Sequence, residues 1–257
     1  SNSERAMPTP FNHLLAAHDL LPLLLPALRR ALEAEWPAFL FGNIAPDVQT
    51  LSGQPREATH FFSVPLGAAP PARSMLLRRH PELALPAARP AAQAAFLAGY
   101  LVHLEFDVLW VQTIFEPVFG PAQTWASFPE RLYLHNALRA HWDAADLPQL
   151  PAGTGAALAA ARPDSWLPFV ADADLARWRD RVAPQLQAGG RAHTIEVFAE
   201  RMGVDSEAFA RLLNSPEAMA ARVFARVPRA ELARYRGAAL AQSATLLTGY
   251  WDGALQP

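Results

Sequence analysis

The sequence predicts an all-α protein. Helix signals run along nearly all of its 257 residues, no segment sustains the period-two alternation of a strand, and prolines fall mainly where helices would open or close. No internal repeat interrupts this pattern.

Asn12 to Leu20 and Leu23 to Glu35 read as two helices divided at Pro22, with Pro26 tolerated in the first turn of the second. Trp36 to Ile44 is a short apolar helix that delivers Asp47. Residues 48 to 88 hold Pro65, Pro70, Pro71, Pro81 and Pro86 and read mostly as loop. A loop that long in a compact domain is usually functional. Pro90 opens a long helix, which Pro117 and Gly120 close. Pro129 to Ala145 forms another. Pro151 to Gly155 is a linker or loose turn, followed by an alanine-rich helix ending by Pro163. Asp172 to Leu186, Thr194 to Met202, Ser206 to Leu213 and Pro216 to Arg226 are amphipathic candidates, and Arg229 to Trp251 is the last helix. Ser215 is an N-cap, with Pro216 at the first helical position and Glu217 at the positive end. The expected organisation is a metal-binding helical core over 8–148 and a helical extension over 149–257, within one domain or beside it.

The long helix carries the most informative run, Gly99-Tyr100-Leu101-Val102-His103-Leu104-Glu105-Phe106-Asp107-Val108-Leu109-Trp110. It is apolar on most of its circumference, so it is expected to be buried. His103 and Asp107 are one turn apart on one face. A buried histidine and carboxylate are costly unless neutralised. A divalent metal does that, and so does a simple hydrogen bond between neutral imidazole and carboxylate; one pair alone leaves both open. Three further donors lie upstream: His13 just inside the first helix, Asp47 after Pro46 at a turn, and His60 between Thr59 and Phe61-Phe62. With His103 and Asp107 they make five, enough for one ion or for two sharing a carboxylate.

At these positions the sequence resembles the zinc-dependent phospholipase C family, distantly related to single-strand-specific zinc nucleases. The resemblance runs in order through Asn12-His13-Leu14, Gly42-Asn43-Ile44-Ala45-Pro46-Asp47, Thr59-His60-Phe61 and Gly99-Tyr100-Leu101-Val102-His103 with Asp107, covering about residues 8 to 145. It implies the helical fold of that family, with Asp47, His60, His103 and Asp107 holding one zinc ion and His13 with Asp107 helping to bind a second. Secreted members complete the second site with an N-terminal tryptophan. Here Ser1–Ala6 read as a tag remnant before a native Met7, and no tryptophan or apolar leader is present. The family's third zinc uses a histidine six residues past the bridging aspartate and a His-x-x-x-Glu pair. Those positions are Thr113, and His135 followed by Arg139. The expectation is one zinc ion, two at most; iron, manganese and nickel suit the same nitrogen and oxygen donors.

Arg56, close before His60, is a candidate phosphate clamp through its bidentate fork. His135 is a second candidate substrate contact. His141, on the same helix six residues on, does not share its face; His18, His80 and His193 are expected at surface or capping positions. The aromatics of the C-terminal half fall at helical spacing and read as core, with roofing of the cleft or lipid contact as the sharper alternative.

The net charge of −2 and the absence of a basic run give no field for nucleic acid or an anionic membrane. No cysteine is available for disulfides or thiolate ligands. The longest apolar candidate, around Ala91 to Val111, contains His103, Glu105 and Asp107, so a polar-lined core helix is expected and not a membrane span. A cytoplasmic location is the default expectation; oligomeric state is not readable. Two functions follow. One is a metal-dependent hydrolase of phosphoester bonds, acting on a small phosphoester or a phospholipid headgroup, with metal-activated water as nucleophile and Asp47 and Asp107 in catalytic roles. The other is a non-catalytic metal-binding or structural helical protein that keeps a degenerate site.

Overall fold

The computed structural model describes residues 9–187, 190 and 192–255; the start read at Met7 lies outside them. Among the described residues every regular element is helical. The chain runs through α1 (Pro10–Leu20), α2 (Pro26–Ala34), α3 (Trp36–Gly42), α4 (Gln49–Ser52), α5 (Glu57–His60), α6 (Ala72–Arg79) and α7 (Ala91–Trp110). It continues through α8 (Phe128–Asp146), α9 (Thr154–Ala160), α10 (Asp172–Val182), α11 (Thr194–Met202), α12 (Ser206–Leu213), α13 (Pro216–Met219) and α14 (Arg229–Trp251). The segment expected as loop is only partly so, because α4, α5 and α6 fall inside it. Single turns of this kind draw their stability from tertiary packing and leave little periodicity to read.

The central element is α7, capped by Pro90 and widened into a π-helical stretch over Val111–Phe119, where Pro117 lacks the donor that regular α-helix needs. By length and composition Ala91–Phe119 could cross a membrane, with mean hydropathy 1.4, yet 89% of its most apolar window is covered by the protein itself. Helices α3 and α14 supply much of that cover. Two glycines set the α3–α7 distance: a Cβ on Gly42 would stand 2.0 Å from the Phe96 carbonyl oxygen, and one on Gly99 2.3 Å from that of Phe39. Only backbones without side chains approach so closely. From the other side, the Tyr235 hydroxyl of α14 donates to the Phe106 carbonyl at 3.0 Å.

One hydrophobic core draws on both stretches expected from the sequence, joining Leu14, Phe41, Phe96 and Trp110 to Trp178, Phe209, Tyr235 and Tyr250. Polar ties also cross between them. Trp178 donates its indole N–H to the Ile44 carbonyl at 2.7 Å, and His18 bonds Thr154 at 3.0 Å. Ser215 caps α13 as expected, accepting from the Ala218 amide.

Candidate metal centre

Three elements converge on α7. His103 and Asp107 project from it, one turn apart and fully buried. Asp47 comes from the 3-10 turn Ala45–Val48 that follows α3, 16% exposed at its side chain. His60 ends the single turn α5, which is fastened to α7 by the Tyr100 hydroxyl donating to the Thr59 carbonyl. Phe61, next to it, has φ of +60°, a left-handed conformation that turns the chain away directly after the histidine. His13 lies on α1, whose Asn12 amide donates to Asp146 of α8 at 2.8 Å. All five residues expected from the sequence therefore meet.

Hydrogen bonds fix what two of the imidazoles present. His103 Nδ1 lies 2.8 Å from the Asn43 carbonyl oxygen, which can only accept, so Nδ1 carries the proton and Nε2 the lone pair. Thr59 Oγ1 donates to the Arg56 carbonyl at 3.2 Å and so accepts from His60 Nδ1 at 3.0 Å, which leaves His60 Nε2 as a second lone pair. These two Nε2 atoms face each other at 3.3 Å. Asp107 Oδ2 stands 3.4 Å from His60 Nε2 and 3.5 Å from His103 Nε2, and Asp47 Oδ1 stands 3.5 Å from His60 Nε2. Four acceptors thus surround the two facing Nε2 atoms. A proton on His103 would reconcile two of them; a cation reconciles three. Bonds of about 2.0–2.1 Å in tetrahedral arrangement put neighbouring donor atoms roughly 3.3–3.4 Å apart. The contacts of His60 with His103, Asp47 and Asp107 match that spacing, while the Asp47 and Asp107 oxygens belong to separate sets of three.

His13 adds a fifth donor on the far side of Asp107, its Nε2 3.4 Å from Oδ1, with its ring stacked on His103 at 3.9 Å. Neither His13 nitrogen nor Asp107 Oδ1 has a hydrogen-bond partner, although all are buried. Such orphans are rare unless an ion or water completes them. Two donor sets result, Asp47 with His60 and His103, and His13 with His103 and Asp107, each with its atoms within 4.8 Å of one another. Both rely on His103, whose single free nitrogen serves one ion. The cluster can hold a metal.

Sequence reading did not anticipate the direct partner of Asp107. Arg56, 2% exposed, donates from Nη2 to Asp107 Oδ2 at 2.8 Å, with its guanidinium 4.5 Å above the Phe62 ring. This cation already offsets one carboxylate, which argues against several divalent ions in the same space.

The electrostatics keep the donors ready for a metal. Burial, and then the Arg56 charge, push His60 down to about 4. Burial and the neighbouring His103 also lower His13. Burial works against ionised Asp107, but the neighbouring His103 and His13 outweigh it and hold this carboxyl well below its ordinary range. Asp47 is lowered despite burial by the neighbouring His60 and His103. His103 moves the other way: burial would lower it, yet Asp107, Asp47 and the Asn43 carbonyl raise it.

The centre adjoins a cavity of about 530 Å³. Asp47 and Arg56 belong to its wall, and so do Arg139, Arg181 and Arg201, together with Phe11, Trp178 and Phe198. Trp178 and Phe198 belong to the hydrophobic core, as expected for the C-terminal aromatics, and also line this cavity. Arg139 and Asp143 project from one face of α8; that arginine–aspartate pair four apart in a largely apolar stretch was the signal available in the sequence. Asp143 accepts from both Thr9 and Thr194 hydroxyls, tying the start of the described chain to α11.

His135 does not line this cavity. Its Nε2 accepts from the Trp110 indole at 2.9 Å, and its ring packs within an aromatic box with Phe115 and Phe119 at 5.0 and 5.1 Å. His135 shares that face of α8 but sits one turn before Arg139 and two before Asp143, where it meets Trp110 and not the cleft. Glu105 pairs with Arg73 at 2.9 Å, and Thr113 donates to the Leu109 carbonyl at 2.7 Å. His80 packs against Phe169 at 4.6 Å, and His141 lies against Phe224 at 5.2 Å. His193 occupies the N-cap position of α11, where it also lines the cavity.

No protein-family model, curated protein or solved structure matches the chain.

Proposed function

We propose that the protein is a metal-dependent phosphoester hydrolase of phospholipase C-like type, using one zinc ion. The observation that carries this reading is the close set of donor atoms on Asp47, His60 and His103, with Asp107 3.4 Å from His60, beside a cavity walled by arginines. When bound there, a divalent ion supplies Lewis acidity and acidifies a water molecule toward neutral pH. The chain does the rest. Asn43 and Thr59 hold His103 and His60 in the tautomers that present Nε2. Arg56 orients Asp107 and, through its second nitrogen, meets a phosphoryl oxygen. Asp47, the most exposed of the four, takes the proton shed by the attacking water. Water adds to phosphorus, the ester P–O bond breaks, and alcohol and phosphate products leave through the cavity.

A second reading is favoured by the Arg56–Asp107 ion pair, which gives the buried carboxylate a partner without any metal. It makes the cluster a structural network in a non-catalytic protein. Elemental analysis of the purified protein, followed by assays on p-nitrophenyl monoesters and diesters and on phosphatidylcholine, separates the two. The hydrolase reading expects a bound transition metal and turnover lost on chelation and restored by zinc; absence of both leaves the structural network.

A further inference from the structure

The cavity wall carries a second chemistry that the donor cluster does not supply. Two guanidiniums are buried there, Arg56 at 2% exposure and Arg139 at 6%. Arg56 commits Nη2 to Asp107, while its Nη1 is buried with no hydrogen-bond partner. A charged donor left that way is expensive, and an anion in the adjoining space removes the cost. Arg139 is held in place by Asn136 Oδ1 at 3.0 Å and by the Phe198 ring at 4.6 Å. The exposed Arg181 and Arg201 extend the same wall. Burial, and then the charge of Arg201, bring Arg139 down to about 10, against the pull of Asp47, Asp107 and Asp143. Two guanidiniums buried on one wall suit a multiply charged anion.

We propose that this wall is a phosphate subsite that works without the metal, and that it selects phosphate monoesters, seating the terminal dianion on Arg56 and Arg139. The substrate half of the statement rests on the hydrolase reading; the subsite half does not. A monoester carries close to two negative charges near pH 7, as a phosphorylated side chain does. A diester carries one. Arg56, Arg139, Arg181 and Arg201 on the wall outnumber Asp47 and Asp143 there and Asp107 behind Arg56, and so favour the dianion. The same charges repel a headgroup that ends in an ammonium. Phe11, Trp178 and Phe198 offer apolar surface to the organic part of the ester, and about 530 Å³ admits a compact one.

Calorimetric titration of inorganic phosphate into the chelated full chain tests the subsite, with Arg139→Met and Arg139→Lys beside the parent. Binding is expected to survive chelation, to weaken roughly ten- to a hundredfold in Arg139→Met, and to fall between in Arg139→Lys. Circular dichroism checks that each variant folds; if Arg139→Met does not, the exposed Arg181→Gln is expected to weaken phosphate binding severalfold. Phosphate binding that disappears on chelation, or that no arginine variant alters, overturns the subsite. With zinc restored, kcat/KM for p-nitrophenyl phosphate is expected to exceed that for bis-p-nitrophenyl phosphate and for phosphatidylcholine micelles; the opposite order overturns the monoester assignment. Phosphatidate micelles in the same assay tell a lipid monoester from a soluble one. Arginine-dependent phosphate binding with no hydrolysis of any ester leaves the subsite standing and removes the hydrolase.

Discussion

Arg56 and Asp107 form a buried ion pair, 2.8 Å between Nη2 and Oδ2, at the point where the histidine nitrogens converge. The pair makes Asp107 both a candidate ligand and the counter-charge of an arginine. Replacing it by asparagine should therefore do two things. Metal content should fall, because a neutral amide is a poor ligand, and stability should fall by about 3–5 kcal/mol, because Arg56 is left buried and uncompensated. Adding Arg56→Met to Asp107→Asn should recover much of the stability and none of the metal. Elemental analysis after dialysis and denaturant titration read the two effects separately. Undiminished metal in Asp107→Asn would falsify the ligand assignment.

His135→Ala offers the contrast. It empties part of the aromatic box around Trp110, Phe115 and Phe119, so it should cost stability on the order of 2–4 kcal/mol while metal content stays at the parent level. Loss of metal without loss of stability would place His135 at the ion instead.

The number of ions should be one per chain. His103 is shared by both donor sets and offers one nitrogen, and Arg56 already supplies a positive charge beside Asp107. His13→Ala is expected to leave one tight equivalent in competition titrations with a chelator. Two or three tight equivalents in the parent would contradict this.

Asp143 should give stability a dependence on pH. Burial raises its carboxyl from 3.8 to about 7, against the bonds from Thr194 and Thr9 that favour the ionised form. A carboxyl raised on folding is neutral in both states below its unfolded value, so no penalty applies there. Between about 4 and 7 the unfolded chain ionises first, and stability is lost as pH rises, by up to a few kcal/mol. Asp143→Asn stays neutral throughout. Its melting temperature should gain on the parent between pH 5 and pH 8; a constant difference across that range would show that Asp143 is not the titrating group.

The α3–α7 contact should be intolerant of any side chain at Gly99. A Cβ there overlaps the Phe39 carbonyl and the Asn43 backbone, so Gly99→Ala should lower stability by about 1–3 kcal/mol or more. It should also weaken metal binding, since Asn43 shifts away from His103 Nδ1. A melt and a zinc titration check both, and unchanged values in each would show that the helices have room to part.

Much of the helical framework was readable, because most of its boundaries rest on local signals: Pro90 opening α7, Ser215 capping α13, and the amphipathic spacing of α10, α11 and α12. The short turns α4 and α5 were not, since tertiary contacts such as the Tyr100 bond to Thr59 hold them in place. The five candidate donors were legible from His103 and Asp107 sharing a face and from the ordered motifs around the others. The Arg56–Asp107 bond was hidden by a separation of 51 residues. The cavity wall was hidden for a similar reason: Arg181 and Arg201 carry no local signature of a site, and only the packing of α10 on α4 and the Ala45–Val48 turn, and of α11 on α8, brings them to it.

That wall has an evolutionary corollary. The segment from Trp178 to Arg201 contributes much of the cavity surface and none of the donor atoms. Substitutions there would reshape the cavity while the candidate donors on α1, the Ala45–Val48 turn, α5 and α7 keep their geometry. Under the hydrolase reading, fit and chemistry would then sit on separate stretches of one chain.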